Sequence, residues 1–187
     1  MMLRDIPKLS SPRANSGVAL FISLVLLLVL TILGVSAVQS TSLEVRMARN
    51  EHDTLLAFEA AESALRDAED QVETITSIVD FTDTGDDGLW TVADLGDVPR
   101  WEEETNWTTT GRHAEAATTV DGVAAPPRYI IEHAASVIRE ENAYQIDDPY
   151  SQSASDRIEI FRVTALGTGG SAQAQVLLQS TYGRILE

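Results

Sequence analysis

The chain has 187 residues, of which 44% are hydrophobic and 22% charged, enough for one modest domain with an appended segment. It carries 29 Asp and Glu against 13 Lys and Arg, and the formal net charge of −16 excludes a basic nucleic-acid-binding protein, which needs positive charge for phosphates. Because it contains no cysteine, disulfides, thiolate zinc sites and a cysteine nucleophile are excluded too.

The most apolar part of the chain lies near its N-terminus. Residues 18–38 are almost entirely apolar, and no charged residue occurs between positions 14 and 43. A helix over these 21 residues would measure about 31 Å, the thickness of the hydrocarbon core of a bilayer. The basic residues Arg4, Lys8 and Arg13 precede it and favour a cytoplasmic N-terminus. A secretory signal peptide is the alternative, but the stretch exceeds the roughly 7–15 apolar residues that such a peptide contains.

The helical pattern continues beyond the apolar stretch. Residues 39–79 contain neither proline nor glycine, and good helix formers dominate them. Apolar residues that recur at steps of three and four predict an amphipathic stripe. This stripe comprises Phe58, Ala61, Leu65, Ala68, Val72, Ile75 and Val79. We therefore expect one helix over residues 18–79, about 90 Å long, with its stripe packed under a globular head; a two-stranded coiled coil is the alternative.

The globular head is expected within residues 80–187. Residues 80–104 hold nine acidic side chains against one arginine and predict a solvated loop, part of an acidic loop region over residues 80–127. A β-meander is predicted over residues 128–182, because this part is rich in β-branched and aromatic residues. Its strands are predicted at residues 128–139, 157–166 and 173–182.

The middle strand of this meander does not alternate regularly. Ile158 and Ile160 share one face, whereas Phe161, Val163 and Ala165 share the other. This change of phase predicts either a β-bulge or a strand that is covered on both faces. The glycine-rich residues 167–171 would join the last two strands as an antiparallel hairpin.

The acidic loop region contains the candidate chemical groups. The spacing of Asp83, Asp87 and Asp94 partly matches a calcium-binding loop, but two ligand positions depart from that pattern, so a plain acidic loop without a cofactor is favoured. No second Asp-Thr-Gly triplet and no nucleophile elbow is present, so no catalytic residue is assigned. Three tryptophans are interpreted either as core anchors or as an exposed partner contact. They are Trp90, Trp101 and Trp107.

Two stretches of the chain carry a family resemblance. The first begins at Gly17-Val18-Ala19-Leu20 and continues through Ala64-Leu65-Arg66-Asp67-Ala68-Glu69. The second includes Gly167-Thr168-Gly169-Gly170 and Leu178-Gln179-Ser180-Thr181-Tyr182. Over residues 16–73 and 157–182, the chain resembles the N-terminal region and the closing hairpin of PilX-type minor pilins of the type IV pilus.

This resemblance implies an α+β fold of the type IV pilin-like kind, with one very long N-terminal helix packed on a small antiparallel β-sheet head. It implies a prepilin leader over residues 1–17 and a transmembrane and filament-core helix over residues 18–38. Residues 39–79 would continue this helix. A prepilin peptidase would cut between Gly17 and Val18, and Val18 would then be N-methylated.

The resemblance further implies a non-enzymatic subunit that primes pilus assembly and sits near the filament tip, supporting adhesion and twitching motility. Its head would be periplasmic while the helix is held in the inner membrane of a Gram-negative bacterium, before the subunit enters the extracellular pilus. Its partners would be other minor pilins, the major pilin and a tip adhesin, with no direct nucleic-acid partner. The helix-packing residues would be Leu20, Leu24, Leu27, Leu28, Gly34, Phe58, Ala61, Leu65, Ala68 and Val72.

One position departs from the major pilins. They carry a glutamate five residues into the mature chain, whereas this chain has Ile22 there. Two other classes remain open at this point. One is a pseudopilin of a type II secretion system, and the other is a single-pass inner-membrane protein with a periplasmic binding domain.

Overall fold

The computed structural model describes residues 16–138 and 157–186, so the basic leader residues Arg4, Lys8 and Arg13 lie outside the described part. The first element is helix α1, Ser16–Thr74. The chain divides into two units between Ala48 and Arg49. In the first unit, residues 17–48 are helical and every side chain is exposed.

Helix α1 ends at Thr74, five residues before the predicted end at Val79. The Ile75 N–H donates to the Val72 carbonyl at 3.2 Å, which tightens the last turn. The Arg184 guanidinium donates to the carbonyls of Val72 and Ile75 at 2.8 and 2.9 Å. The predicted helix is too long because a side chain from the far end of the sequence satisfies the carbonyls that another helical turn would have used.

The second unit contains a five-stranded sheet in the order β1-β3-β4-β5, and β2 also pairs with β3. Its longest strands, β3, β4 and β5, pair antiparallel as the predicted meander requires. The short strand β1 pairs parallel to β3, so the sheet is mixed. The strands are β1 Leu89–Thr91, β2 Ala114–Glu115, β3 Arg128–Ile138, β4 Arg157–Thr168 and β5 Gln175–Ile185.

The change of phase in the middle strand corresponds to a register shift in its partner. Between His133 and Ala135 of β3 the pairing shifts, opposite Phe161 and Ile160 of β4. The centre of β4 is also covered on both faces, since Val163 belongs to one hydrophobic core and the adjacent Thr164 is buried at 2% exposure. The alternative that the middle strand is covered on both faces is therefore confirmed, whereas the bulge lies in its partner β3 and not in β4 itself.

One face of the sheet packs on α1 through small side chains. The fully buried residues of α1 are Ala57, Ala60, Ala61, Ala64, Ala68 and Val72. The predicted stripe was wrong at Phe58 and Val79, which are 44% and 81% exposed. Alanine is required because the sheet backbone approaches closely: a Cβ on Gly167 would overlap the carbonyl of Ala57 and the backbone nitrogen of Ala61.

The opposite face of the sheet is covered by the acidic region, which is folded rather than a solvated loop. Trp90 and Trp107 are buried there against Ile130. Their indole nitrogens donate to the carbonyls of Arg112 and Trp101, each at 2.9 Å. The region contains β1, helix α2 over Glu104–Thr108 and 3₁₀ turns at Asp86–Gly88 and Arg100–Glu102.

The tight packing of Trp90 depends on a glycine turn. Gly85 adopts a left-handed conformation with φ of 73°, and a Cβ at this position would overlap the Trp90 ring. Trp90 and Trp107 are therefore core anchors, and the alternative that they form a partner contact is wrong. Trp101 is only partly buried at the edge of this core.

Candidate assembly surface on the N-terminal helix

The most unusual surface of the chain is the first part of α1. Large apolar side chains between residues 18 and 38 keep 39–70% of their accessible surface, and this set includes Leu20, Leu24, Leu27 and Leu28. Of the described helices, one is long and apolar enough to cross a membrane by length and composition. A continuous apolar surface of this kind requires lipid or protein to cover it.

Two of the three hydroxyl side chains on this surface have hydrogen-bond partners within the helix. Ser23 Oγ donates to the Leu20 carbonyl at 2.8 Å, and Thr31 Oγ1 donates to the Leu28 carbonyl at 2.7 Å. These bonds reduce the free-energy cost of transferring the two hydroxyls from water to an apolar environment. The same surface is therefore chemically suited to hydrocarbon and to contact with other apolar helices.

One glycine, Gly34, lies within this surface, and another, Gly17, directly precedes it. Among the described residues, no atom lies within 4 Å of the place where a Cβ would be on Gly17 or on Gly34. Glycine inside a helix is about 1 kcal/mol less favourable than alanine. Neither turn geometry nor packing within the described chain requires these two glycines, so both are available for contacts with other molecules.

The predicted packing residues of α1 that follow Arg49 are of two kinds, buried and exposed. Ala61, Ala68 and Val72 are fully buried, and Leu65 packs against the same core of this chain. These four side chains are occupied by the sheet. Phe58, in contrast, is exposed and free to contact another molecule.

The three acidic candidates for calcium lie apart among the described residues. Asp83 accepts a hydrogen bond from the Thr91 hydroxyl and lies 3.3 Å from the Arg100 guanidinium. Asp87 lies in the 3₁₀ turn with φ of 54°. In the part of the chain that the structure describes, no three His, Asp or Glu side chains are grouped so as to hold a metal, so Asp83, Asp87 and Asp94 are not brought together.

A partly buried polar cluster that the sequence did not predict lies on the α1 side of the sheet. His133 Nε2 is 2.7 Å from Glu159 Oε2, and the Ser136 hydroxyl donates to the same carboxylate oxygen. Burial raises the pKa of Glu159, but the hydrogen bonds from Ser136 and His133 outweigh it and leave that pKa lowered. Since the carboxylate holds both groups, the imidazole does not activate the hydroxyl as a nucleophile would require.

A second unpredicted contact fixes the hairpin between β4 and β5. Ser171 donates its backbone N–H to Asp53 Oδ1 at 3.0 Å and its hydroxyl to Asp53 Oδ2. The hydroxyl bond and then the backbone bond lower the pKa of Asp53. The two residues are 118 positions apart, so no local sequence pattern predicts the contact.

A long N-terminal helix with an exposed apolar first part, and a small sheet packed on its second part, defines the type IV pilin-like class of α+β proteins. Residues 72–184 match the family described as "Type IV pilus assembly protein PilX C-term", and residues 16–66 match the family described as "PilX N-terminal". The first match covers more than half of the chain, so the chain belongs to the PilX family. It is a minor pilin of the type IV pilus, as the resemblance indicated. Neither a curated protein nor a solved structure matches the chain.

Proposed function

We propose that this minor pilin helps to prime pilus assembly in the inner membrane and remains near the filament tip with other minor pilins. The observation that carries the proposal is the apolar surface of residues 18–38, exposed and with its Ser23 and Thr31 hydroxyls satisfied. Burial of one leucine side chain is worth about 1.5–3 kcal/mol relative to water. Lipid tails and neighbouring helices both provide that burial, so transfer between them requires little net free energy.

Ile22 supports a position at an end of the filament. It is 53% exposed on the apolar surface, at the place where the resemblance implies a glutamate in major pilins. That glutamate pairs with the N-terminal amine of a neighbouring subunit. A subunit without it can still offer its own amine on Val18 to another subunit's glutamate. This one-sided pairing suits a terminal or rare subunit better than a repeating one.

Entry into the filament would follow removal of the leader by a prepilin peptidase. The cut would fall between Gly17 and Val18, with N-methylation of Val18. Gly17 is exposed in the first turn of α1 with open space around its Cα. Because glycine has no side chain, it lets the backbone of the substrate come close to the active site of the peptidase.

Intact-mass measurement of the full-length protein expressed in its own bacterium tests this step. We expect wild-type protein to begin at N-methyl-Val18, and Gly17→Val to retain its leader. Gly34→Val is the matched control, because both glycines are helical and have open space, and it should be processed normally. A leader retained in the wild type would favour the alternative of a single-pass membrane protein. Normal processing of Gly17→Val would contradict the proposal that the peptidase requires glycine at position 17.

The remaining distinction is between a pilus and a secretion system. The PilX family description names type IV pilus assembly, which favours the minor pilin over the type II secretion pseudopilin. We propose that the head is periplasmic before assembly, acts without catalysis or a cofactor, and supports adhesion and twitching motility through the pilus. Co-purification of the full chain with other minor pilins and a tip adhesin supports this role, whereas co-purification with secretion components alone contradicts it.

A further inference from the structure

Strand β5 has an open edge. It pairs with β4 without interruption from Thr168↔Gln175 to Ile158↔Ile185, and among the described residues no strand pairs with its other side. Proline, a bulge or a charged side chain commonly protects an edge strand from association. The sequence of β5 contains no proline, its register contains no bulge, and its one charged side chain, Arg184, donates to the carbonyls of Val72 and Ile75. The long edge of β5 is therefore able to accept a further strand.

The register indicates which backbone groups face that edge. Gly169 N–H donates to the Ala174 carbonyl at 2.8 Å, one step beyond the pair Thr168↔Gln175. In an antiparallel pair, residues that exchange hydrogen bonds alternate with residues that point away. Even-numbered residues of β5 therefore bond to β4, and the N–H and C=O groups of Leu177, Gln179 and Thr181 face outward.

The two sides of this edge differ in chemistry. On the α1 side, Ser180 donates to Glu69 at 2.8 Å and the Tyr182 hydroxyl donates to Glu73. Arg184 Nε lies 3.9 Å from Glu73 Oε2, and the Glu73 side chain remains 56% exposed. On the other side, Leu177 is 45% exposed beside a groove of about 160 Å³. That groove is lined by Trp101, Thr164, Leu177, Leu178 and Gln179.

We propose that β5 binds an extended segment of another protein in which basic and apolar side chains alternate. Successive side chains of an added strand point to opposite faces of the sheet. One set would cover Leu177 and Trp101, and the other would meet the carboxylates of Glu69 and Glu73. A second copy of this chain is disfavoured as the partner because each copy carries a net charge of −16.

A synthetic peptide of about ten residues, in which valine and lysine alternate, serves as the probe because an added strand places alternate side chains on opposite faces. It is titrated into the full-length protein in neutral detergent micelles while amide hydrogen exchange is followed residue by residue. We expect exchange at Leu177, Gln179 and Thr181 to slow at least tenfold. The matched control peptide has the same composition with all valines first and all lysines after them. It should leave these amides unprotected because it cannot place the two chemistries on opposite faces.

Two variants at one position separate backbone pairing from side-chain contact. Thr181→Pro removes an outward N–H but no bond to β4, a placement that edge strands tolerate. Thr181→Val changes the side chain and keeps the N–H. We expect Thr181→Pro to abolish the protection and Thr181→Val to keep it. Should Thr181→Pro fail to fold, Leu177→Lys must weaken binding at least tenfold, because it places a charge where the valines of the peptide would cover the groove.

Three results overturn the proposal. The first is equal protection of the edge by both peptides. The second is wild-type binding of the peptide to Thr181→Pro or to Leu177→Lys. The third is protection of the outward amides before any peptide is added. The last result means that the same chain or a second copy covers the edge. The experiment involves neither pili nor the peptidase, so its failure leaves the proposed function untouched.

Discussion

The two parts of helix α1 use hydrophobic residues in opposite ways. Residues 18–38 are rich in leucine, valine and isoleucine, and all of them are exposed. Between residues 57 and 72, the fully buried positions are alanines and one valine. The amount of apolar surface therefore does not predict what is buried within the chain. Small side chains let the sheet approach the helix, whereas a surplus of large ones marks a surface for other molecules.

The strongest test of this comparison is to enlarge a residue where the sheet contacts α1. A side chain on Gly167 would overlap the backbone of Ala57 and Ala61, so we expect Gly167→Leu to lower the free energy of unfolding by about 3 kcal/mol or more. Denaturant unfolding of the full chain in micelles, followed by tryptophan fluorescence, measures this loss. Gly34→Leu is the control and should unfold at the wild-type midpoint, because open space surrounds it.

A pair of opposite substitutions compares the two parts directly. Ala64 is fully buried in the core beneath the sheet, so Ala64→Leu should lower the free energy of unfolding by about 1–3 kcal/mol. Leu24 is exposed, so Leu24→Ala should leave the unfolding of the head unchanged while reducing the amount of the protein recovered in pili. If Leu24→Ala destabilised the head as much as Ala64→Leu, the two parts of the helix would not differ as described.

A buried carboxylate on the face of the sheet opposite α1 has a smaller, pH-dependent effect on the free energy of unfolding. Glu132 is fully buried, and among the described residues neither of its oxygens has a hydrogen-bond partner. Arg162 Nη1 lies 3.9 Å from Glu132 Oε2. Burial raises the pKa of Glu132, although Arg162 and Arg100 act in the opposite direction.

The sign of the effect follows from the raised pKa. The folded state holds the proton of Glu132 more tightly than the unfolded state, so ionisation destabilises the fold above the folded pKa, and stability recovers as the pH falls through it. We expect Glu132→Met to raise the free energy of unfolding at neutral pH by about 1 kcal/mol. Its advantage over the wild type should decrease toward acidic pH. A variant less stable than the wild type at neutral pH would contradict this account.

The local features of the fold could be predicted from the sequence. The start of α1 and the positions of β3, β4 and β5 follow from composition and periodicity over short windows. The exposed apolar surface could be predicted too, because it depends on residues 18–38 alone. The end of α1 could not, since Arg184 determines it from a distant part of the chain.

The head was predicted less well because its contacts join distant residues. The strand that contains Trp90 is too short to show alternation and is fixed by parallel pairing with β3. The predicted stripe begins at Phe58 and leaves out Ala57, since it was read from apolar residues at steps of three and four. The structure prefers Ala57 because Gly167 lies against it, a contact that periodicity does not register.

The central claim is that residues 18–38 leave the membrane and enter the filament. Quantitative mass spectrometry of sheared pili and of inner membranes from the same cells tests it most directly. The account predicts protein that begins at N-methyl-Val18 in the sheared pili, at a low ratio to the major pilin. Protein confined to the membrane fraction, absent both from sheared pili and from complexes with other minor pilins, would contradict the claim.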